Sequence, residues 1–372
     1  MADPARLREA ALFLFLAAAF LLPSGPAYAL VFYLAIPPSL AWRPSLLPRD
    51  AAFWLGAALI IWSGLTLLWG RDDGGRGFRF ALATACTLAF WVALWGELPV
   101  AALRLVLVGL GAVNAVLGLV RLVVAPPYHP PGDVLRLHGW GITNSPVLGA
   151  AVLSVAWLTA LDLALRERRH RAWAIGAMII MAAAVALTRS RGPALALLAG
   201  VFVQCAAARP RLAVAVLAVP PLAWAAGIVR PGTSGHFEAW RLAWSGIAAR
   251  PLFGNGLAAD LPLTYGADKR FPHDLFLSLL FYSGAVGLAL FLPLLAMVAT
   301  RVIRARDAWV GSLLVSGLVA GLTDFGQITK GPGPLWLIIW LPLALAARAS
   351  AGAQQARPVF VQPGDGAGAM RR

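Results

Sequence analysis

Four arginines and one histidine stand beside long apolar stretches, where charged side chains are uncommon. Arg136 precedes one such stretch, Arg189 and Arg191 separate two others, and Arg241 and His273 lie in the segment that leads into another. A guanidinium group can pair with phosphate oxygens through two parallel hydrogen bonds and stays charged at any working pH. An imidazole can accept a proton near neutral pH. These residue types are suited to a phosphate-containing substrate.

The turn Leu187-Thr-Arg-Ser-Arg-Gly-Pro193 is the most informative of these segments. Pro193 suits the first position of a helix, where its missing N–H costs nothing. The start of that helix adds unpaired N–H groups and a positive dipole end beside Arg189 and Arg191. Such a corner suits a phosphate or diphosphate. The alternative is that both arginines only extend toward lipid headgroups.

The other three residues are less specific when each is taken alone. Arg136 lies in Val134-Leu-Arg-Leu-His-Gly-Trp-Gly-Ile-Thr-Asn-Ser-Pro146, whose glycines would let a ligand approach the backbone. Arg241 lies at the edge of the apolar stripe of a predicted amphipathic helix, from which it either points to a cavity or extends to headgroups.

His273 is predicted to open a helix, where a lone histidine often has only a structural role. Asp274 follows it directly and so points away from it, which argues against a His-Asp dyad. Asp162 and Asp324 lie near helix ends, and neither is expected to relay protons within the membrane.

Composition places these residues in a membrane protein. Of 372 residues, 60% are hydrophobic and 13% are charged, with a mean hydropathy of +0.76. The net charge of +15 does not indicate nucleic acid, because the arginines fall mostly in short loops, as the positive-inside rule expects. Cys86 and Cys205 lie in separate apolar stretches, and no metal-ligand spacing occurs in the sequence.

Apolar stretches of membrane-spanning length predict an all-α bundle of about twelve transmembrane helices. The predicted helices span residues 8–22, 27–42, 51–69, 78–96, 99–124, 145–165, 172–187, 193–208, 212–228, 273–300, 308–325 and 333–348. The interval 234–247 is predicted to form an amphipathic helix on the membrane surface, with Phe237, Trp240, Trp244 and Ile247 on its apolar face.

The distribution of arginines predicts the topology. With both termini in the cytoplasm, the arginine-dense connections all face inward. Residues 1–348 then form a single transmembrane domain, residues 229–272 form a periplasmic loop between the ninth and tenth spans, and residues 349–372 form a disordered cytoplasmic tail.

Three motifs, in this order, resemble the superfamily of O-antigen ligases and polymerases, which are bacterial envelope glycosyltransferases. They are Arg136 with its Gly-rich and Asn-Ser-Pro run, the turn Leu187–Gly192, and the segment from Trp240 through Pro251-Leu-Phe-Gly-Asn-Gly256 to Pro272-His-Asp274 and Gly284-Ala-Val-Gly287. The resemblance spans roughly residues 130–300. This chain departs from the family in having Asp274 where members more often have asparagine, and in a shorter periplasmic loop.

The resemblance implies a GT-C-like enzyme in the bacterial inner membrane with a periplasmic active site. It would transfer a glycan from an undecaprenyl-diphosphate carrier to a sugar hydroxyl of the lipid A core, without a metal or another cofactor. Arg191 and Arg241, with Arg136 and Arg189, would hold the diphosphate. His273 would activate or position the acceptor hydroxyl. The expected partners are thus the lipid-linked donor, the lipid A core acceptor and membrane lipids, and not nucleic acid.

Other functions remain open at this point. A polysaccharide polymerase uses the same donor but a second lipid-linked glycan as acceptor, and an O-oligosaccharyltransferase modifies a protein. A transporter of lipid-linked glycans would be expected to carry polar residues or broken helices at mid-membrane, whereas here Asn114 is the main polar residue at a helix centre. A scaffold protein would have no use for the outward arginines.

Overall fold

The computed structural model describes residues 4–41, 48–70, 75–96, 98–127, 135–225, 236–261 and 271–355. Within these ranges the chain is helical and has no β-strand, which confirms the all-α prediction. The helices are α1 Pro4–Leu21, α2 Gly25–Ala41, α3 Ala51–Leu65, α4 Gly77–Leu94, α5 Val100–Val124, α6 Pro146–Arg166, α7 Arg171–Leu187, α8 Arg191–Ala208, α9 Pro210–Ala225, α10 His236–Ala249, α11 Leu275–Ala305, α12 Ala308–Asp324 and α13 Leu341–Gln355.

Seven of the described helices are long and apolar enough to cross a membrane: α3 with the short turn that follows it, α4, α5, α6, α7 with the turn before it, α8 and α11. Four shorter apolar stretches lie in α2, α9, α12 and the region from Trp336 to Ala349. The chain is therefore a multi-pass helical membrane protein, whereas the number of twelve spans stays a prediction.

Two predicted boundaries were wrong. Helix α11 begins at Leu275 rather than at His273, because Asp274 acts as its N-cap and accepts a hydrogen bond from the backbone N–H of Leu277 at 2.8 Å. A π-helical turn, Trp336–Trp340, precedes α13, and that helix continues to Gln355, beyond the predicted start of the tail at 349. Residues 356–372 lie outside the described part, as do residues 229–235 and 262–270 of the predicted periplasmic loop.

Helix α10 forms where an amphipathic helix was predicted on the membrane surface, and it packs on the protein mainly through small residues. Its small residues Ala239 and Ala243, together with Ile247, pack against α11 near Phe281. Phe237 and Trp244, which were predicted to share the apolar face with Ile247, are exposed. Small residues are favoured at this contact because they let the two helices approach closely.

Asn114 in α5 fixes the segment that carries Arg136. Its side-chain amide donates to the carbonyl oxygens of Phe20 and Trp140, at 2.7 and 2.9 Å, and accepts from the hydroxyl of Thr143 at 2.6 Å. The side chain is fully buried and all these groups are satisfied. The polar residue at the centre of α5 therefore has a structural role: it attaches the 135–145 segment to α1 and α5.

Helix α11 is broken at Gly284, whose φ is 66°. The N–H groups of Ala285 and Val286, freed by the break, donate to the carbonyl oxygens of Pro251 and Leu252 at 2.8 and 3.2 Å. A Cβ at Gly284 would lie 2.2 Å from the oxygen of Leu252, so only glycine fits. The Pro-Leu-Phe-Gly-Asn-Gly and Gly-Ala-Val-Gly motifs are thus two halves of one contact.

Candidate active site

Three of the four predicted arginines meet in one cleft at one end of the bundle. The cleft encloses about 640 Å³ and lies between the turn joining α7 to α8, the end of α12, the segment before α6 and the first turns of α10. Its lining residues are Arg136, Val147, Arg189, Ser190, Arg191, Gly192, Pro193, Leu195, His236, Trp240, Leu322, Thr323 and Asp324.

The turn between α7 and α8 presents two arginines to this cleft. Arg189 has a left-handed backbone with φ of 52°, an uncommon conformation for a residue other than glycine, which reverses the chain between the two helices. Helix α8 begins at Arg191, and the side chain of its N-cap, Ser190, does not cap it. Ser190 thus does not use the first N–H groups of α8, and the phosphate site that the sequence predicted at this turn stays a prediction.

Arg136 fastens this turn to the segment before α6. Its Nε–H donates to the carbonyl oxygen of Thr188 at 2.9 Å, and its Nη2–H donates to the hydroxyl of Ser190 at 2.9 Å. The Ser190 hydroxyl in turn donates to the carbonyl oxygen of Pro146 at 3.1 Å. Because Arg136 is held in this way and is only partly exposed, it is not a side chain that extends freely toward headgroups.

Gly192 allows the start of α8 to touch the end of α12. A Cβ at this position would lie 2.2 Å from the hydroxyl oxygen of Thr323 and 2.8 Å from its Cβ. The neighbour is the body of a short side chain, so it has little freedom to move aside. This close approach brings Arg191 and Asp324 onto the same cleft.

His273 is buried between two aromatic rings. Its imidazole stacks on the ring of Phe271 with a centroid separation of 4.0 Å, and on the ring of His236 at 5.0 Å. The residue is 8% exposed, and its φ of 57° is left-handed. A strained backbone held by surrounding contacts often marks a functional residue.

Only one of the two ring nitrogens of His273 has a hydrogen-bond partner among the described residues. Nδ1 of His273 lies against Oδ1 of Asp324. A carboxylate can only accept, so Nδ1 carries the proton and donates, and Nε2 is left with its lone pair. Nε2 is buried and has no hydrogen-bond partner among the described residues. The imidazole therefore has an oriented nitrogen that is available to a substrate hydroxyl.

This His-Asp pair is a correction to the sequence analysis, which argued against a dyad after weighing only Asp274. Asp274 is indeed used elsewhere, as the N-cap of α11. The partner is Asp324, 51 positions further along the chain, at the last residue of α12. Its acidic side chain at the end of an apolar helix was the available signal, but nothing local indicates which residue it meets.

Arg241 is the predicted arginine that does not line the cleft. It lies on α10 next to Trp240, which does, but its guanidinium pairs with Glu238 at 2.7 Å, and the side chain is 70% exposed. The hydrogen bond from Arg241 lowers the pKa of Glu238, and the same bond raises the pKa of Arg241. Reaching the cleft would require Arg241 to exchange Glu238 for another anion.

A second cavity, of about 330 Å³, reaches Asp324 from another side. Arg76 and Asp260 form a two-bond ion pair in its wall at 2.8 and 3.1 Å, and Phe271, Gln327 and Lys330 also line it. The Phe271 ring is the one that stacks on His273. Asp324, the partner of His273, therefore lines both cavities.

The same cluster also has the composition of a metal site. One side-chain ligand atom from each of His236, His273 and Asp324 lies within 4.8 Å of the other two. Two imidazoles and a carboxylate are ligands that zinc accepts. No local motif indicates this cluster, because His236 and Asp324 come from segments far from His273 in the chain.

Comparison with known proteins was made by sequence. No family model matches the chain. The O-antigen ligase of Pseudomonas aeruginosa is 27% identical to it over 298 residues, which cover 76% of this chain and 73% of the relative. The chain is thus similar to an O-antigen ligase over about three quarters of its length. This similarity agrees with the resemblance of the three motifs.

Two of the superfamily motifs form the wall of the cleft. The Arg136 segment and the Ser-Arg-Gly turn are joined by the Arg136 hydrogen bonds. The third motif brings His273 to Asp324 and closes the break in α11. Three predicted site residues, Arg136, Arg189 and Arg191, line the cleft. His273 contacts two other lining residues, Asp324 and His236, which the sequence analysis did not assign to the site.

Proposed function

We propose that this protein transfers a glycan from undecaprenyl diphosphate to a sugar hydroxyl of the lipid A core. The observation that carries the proposal concerns Nε2 of His273, which has no hydrogen-bond partner among the described residues. The same imidazole contacts Asp324, which lines the cleft that holds three arginines. The relationship to an O-antigen ligase supports the same class of glycosyl-transferring enzyme. The donor, the acceptor and the residue roles are part of the proposal.

The arginine cleft holds the diphosphate of the donor. Arg136, Arg189 and Arg191 supply three positive charges, and the uncapped start of α8 adds oriented N–H groups. A departing diphosphate gains negative charge at the bridging oxygen as its bond to the sugar breaks. Fixed guanidinium groups in a partly desolvated cleft stabilise that charge without having to reorganise.

His273 accepts the proton of the attacking hydroxyl. As the acceptor oxygen bonds to the anomeric carbon of the donor sugar, its proton moves to Nε2, and the electron pair of the breaking C–O bond leaves with the diphosphate. The imidazolium that forms is stabilised by the carboxylate of Asp324 and by the negative dipole end of α12, at which that residue lies. General-base help of this kind contributes about 10²- to 10⁴-fold in rate.

The second cavity suits the acceptor sugar. A displacement at the anomeric carbon requires the attacking hydroxyl to approach opposite the leaving diphosphate, so donor and acceptor must flank the base. Asp324 lines both cavities, which supports a donor in one and an acceptor in the other. Arg76, Asp260 and Gln327 offer donors and acceptors for sugar hydroxyls, and the exposed Lys330 offers a charge to a phosphate on the acceptor.

We place this site on the periplasmic face of the bacterial inner membrane. The support is the arginine asymmetry: Arg166, Arg168, Arg304 and Arg306 lie at the opposite ends of the helices that build the cleft. This orientation puts both termini in the cytoplasm and residues 229–272 in the periplasm. A transporter is disfavoured because the N–H groups at the break in α11 are satisfied by the carbonyl oxygens of Pro251 and Leu252.

Deletion of the gene tests the reaction, through electrophoresis of lipopolysaccharide together with analysis of lipid-linked glycans. A ligase leaves lipid A core without long chains while polymerised lipid-linked glycan accumulates. A single-repeat band on the core would indicate a polymerase, and unchanged lipopolysaccharide with loss of a glycoprotein would indicate an O-oligosaccharyltransferase. Both of these results would contradict the proposal.

The three-residue cluster supports a second candidate, in which a divalent cation held by His236, His273 and Asp324 activates the hydroxyl. Chelation separates the two mechanisms. If His273 acts as a base paired with Asp324, EDTA leaves the transfer rate of the purified protein unchanged and added Zn²⁺ inhibits it by occupying the dyad. If the cation is required, EDTA abolishes transfer and Zn²⁺ restores it.

A further inference from the structure

A third cavity, also lined by polar residues, lies at the end of the bundle opposite the candidate active site. It encloses about 620 Å³ between the ends of α6, α8 and α11 and the start of α12. Asp162, Arg166, Gln204 and Arg306 form its polar part. Its flank is aliphatic and continues to the side chain of Ile303, which is 73% exposed. The cavity is therefore charged at the helix ends and apolar along the helices.

The side-chain oxygen of Gln204, Oε1, is buried and lacks a hydrogen-bond donor among the described residues. The residue is 2% exposed, and its amide nitrogen donates to the carbonyl oxygen of Leu158 and the hydroxyl of Ser312, both at 2.8 Å. A carbonyl oxygen can only accept, so these bonds fix the amide orientation and direct Oε1 away from them. Oε1 has no partner among the described residues. Such an unsatisfied acceptor is costly and indicates a missing donor.

Arg306 is a cation without a partner in the described part of the chain. It is the first of the two residues between α11 and α12, with a left-handed φ of 54°, and its side chain is exposed at the cavity. Asp162, by contrast, is buried and paired with Arg104 at 3.0 Å and with Arg166 at 2.7 Å.

The charges of these groups and of Asp307 leave an excess of one cation. Arg104, Arg166 and Arg306 contribute three positive charges, against two negative charges from Asp162 and Asp307. One bound monoanion would therefore neutralise the site.

We propose that this cavity binds the headgroup of an anionic glycerophospholipid that carries a hydroxyl group, with phosphatidylglycerol as the ligand chemistry that fits. The phosphodiester supplies the single negative charge to Arg306, and a glycerol hydroxyl donates to Oε1 of Gln204. The acyl chains lie along the aliphatic flank beside Ile303. Basic pockets between membrane helices are suited to anionic lipid headgroups in this way.

A comparison of three lipids distinguishes the contribution of headgroup charge to binding from that of the headgroup hydroxyl. The purified protein in detergent is titrated with phosphatidylglycerol, with phosphatidylmethanol, which has the same charge and no headgroup hydroxyl, and with phosphatidylcholine, and the midpoint of thermal unfolding is measured. Phosphatidylglycerol should raise the midpoint most, phosphatidylmethanol less, and phosphatidylcholine least. Equal shifts with the first two lipids would overturn the hydroxyl contact to Gln204.

Substitutions locate the site. Arg306→Asn removes the cation while keeping a residue that tolerates a left-handed backbone, and should raise the apparent Kd for phosphatidylglycerol by about tenfold or more, the size of a charge-assisted hydrogen bond. Arg304→Asn, an exposed residue of the same helix that does not line the cavity, is the matched control. Equal Kd values for Arg306→Asn and Arg304→Asn would overturn the assignment.

Gln204→Leu should abolish the difference between phosphatidylglycerol and phosphatidylmethanol. If this buried substitution prevents folding, the comparison of lipids on the unaltered protein and the Arg306→Asn variant still decide the matter. Mass spectrometry of the protein released intact from detergent gives a second readout. Phosphatidylglycerol should remain bound to the unaltered protein and be lost from Arg306→Asn; retention of phosphatidylethanolamine in its place would contradict the charge balance.

Discussion

Nδ1 of His273 faces Oδ1 of Asp324 across the gap between the start of α11 and the end of α12. The pair orders the imidazole, and its other nitrogen is buried without a hydrogen-bond partner among the described residues. Rings of Phe271 and His236 on either side hold it in that plane. Asp324, at the end of α12, thereby sets the orientation of the His273 imidazole, which lies just before α11.

Asp324→Asn should lower the transfer rate by at least about tenfold and leave donor binding nearly unchanged. Asparagine keeps the shape of the side chain but removes the charge that stabilises the imidazolium, and it no longer enforces the tautomer with a free Nε2. Asp274→Asn is the control, because asparagine caps a helix as well as aspartate does. Equal rates for the two variants would remove Asp324 from the mechanism.

Arg191→Lys should lower transfer by well over about tenfold, the equivalent of about 1.4 kcal/mol, because an ammonium cannot reproduce two parallel hydrogen bonds to a diphosphate. The change keeps the positive charge, so it isolates geometry. Arg168→Lys in the turn before α7, at the other end of the bundle, should have no effect. Near-normal transfer by Arg191→Lys would mean that this turn is not the diphosphate site.

Glu238→Gln tests whether Arg241 reaches the donor. Removing the carboxylate frees the guanidinium, so donor binding should tighten if Arg241 contacts the diphosphate, and Arg241→Ala should weaken it. Because the pKa of Glu238 is lowered by its partner, the pair persists as pH falls and is lost only below the usual range of a glutamate. If donor binding is the same in both variants and in the unaltered protein, Arg241 has no part in the site.

Gly192→Ala should reduce transfer strongly, since a Cβ at this position would lie 2.2 Å from the hydroxyl of Thr323 and separate α8 from α12. That movement would displace Arg191 from Asp324. Gly176→Ala in α7 is the matched control, because a Cβ there meets no atom within 4 Å. Transfer rates should be normalised to the amount of folded membrane protein. Full activity of Gly192→Ala would mean that the close approach of the two helices is not needed.

The proposed topology can be tested with single cysteines in a variant that lacks Cys86 and Cys205. A cysteine at Thr233 should react with an impermeant thiol reagent on cells with a permeabilised outer membrane, whereas a cysteine at Ala353 should not. The physical reason is the excess of arginines on the side that carries the termini. Labelling at Ala353 would reverse the orientation and place the cleft in the cytoplasm.

The sequence predicted most of the helices because each apolar stretch has the length of a membrane span. It also predicted the Ser-Arg-Gly corner, since Pro193 and the two arginines are local signals of a helix start beside charge. It could not predict the partner of His273, because Asp324 and His236 reach it only through tertiary packing. It misplaced the start of α11, where Asp274 is a better N-cap than His273.

The apolar face of α10 shows the same limit. Aromatic residues at helical spacing predicted a stripe through Phe237 and Trp244, yet the helix packs through Ala239 and Ala243. Sequence periodicity shows that a helix is amphipathic, but it does not show which face packs against another helix. Close packing between membrane helices favours small residues, and large apolar residues can face lipid instead.

The most direct test of the central claim is a reconstituted reaction with the purified protein in liposomes, containing undecaprenyl-diphosphate-linked glycan and lipid A core. Transfer and donor binding are measured on the same preparations of the unaltered protein and His273→Ala. We expect the unaltered protein to extend the lipid A core, and His273→Ala to bind donor with normal affinity but fail to transfer it. Transfer by His273→Ala at a rate near that of the unaltered protein would contradict the mechanism.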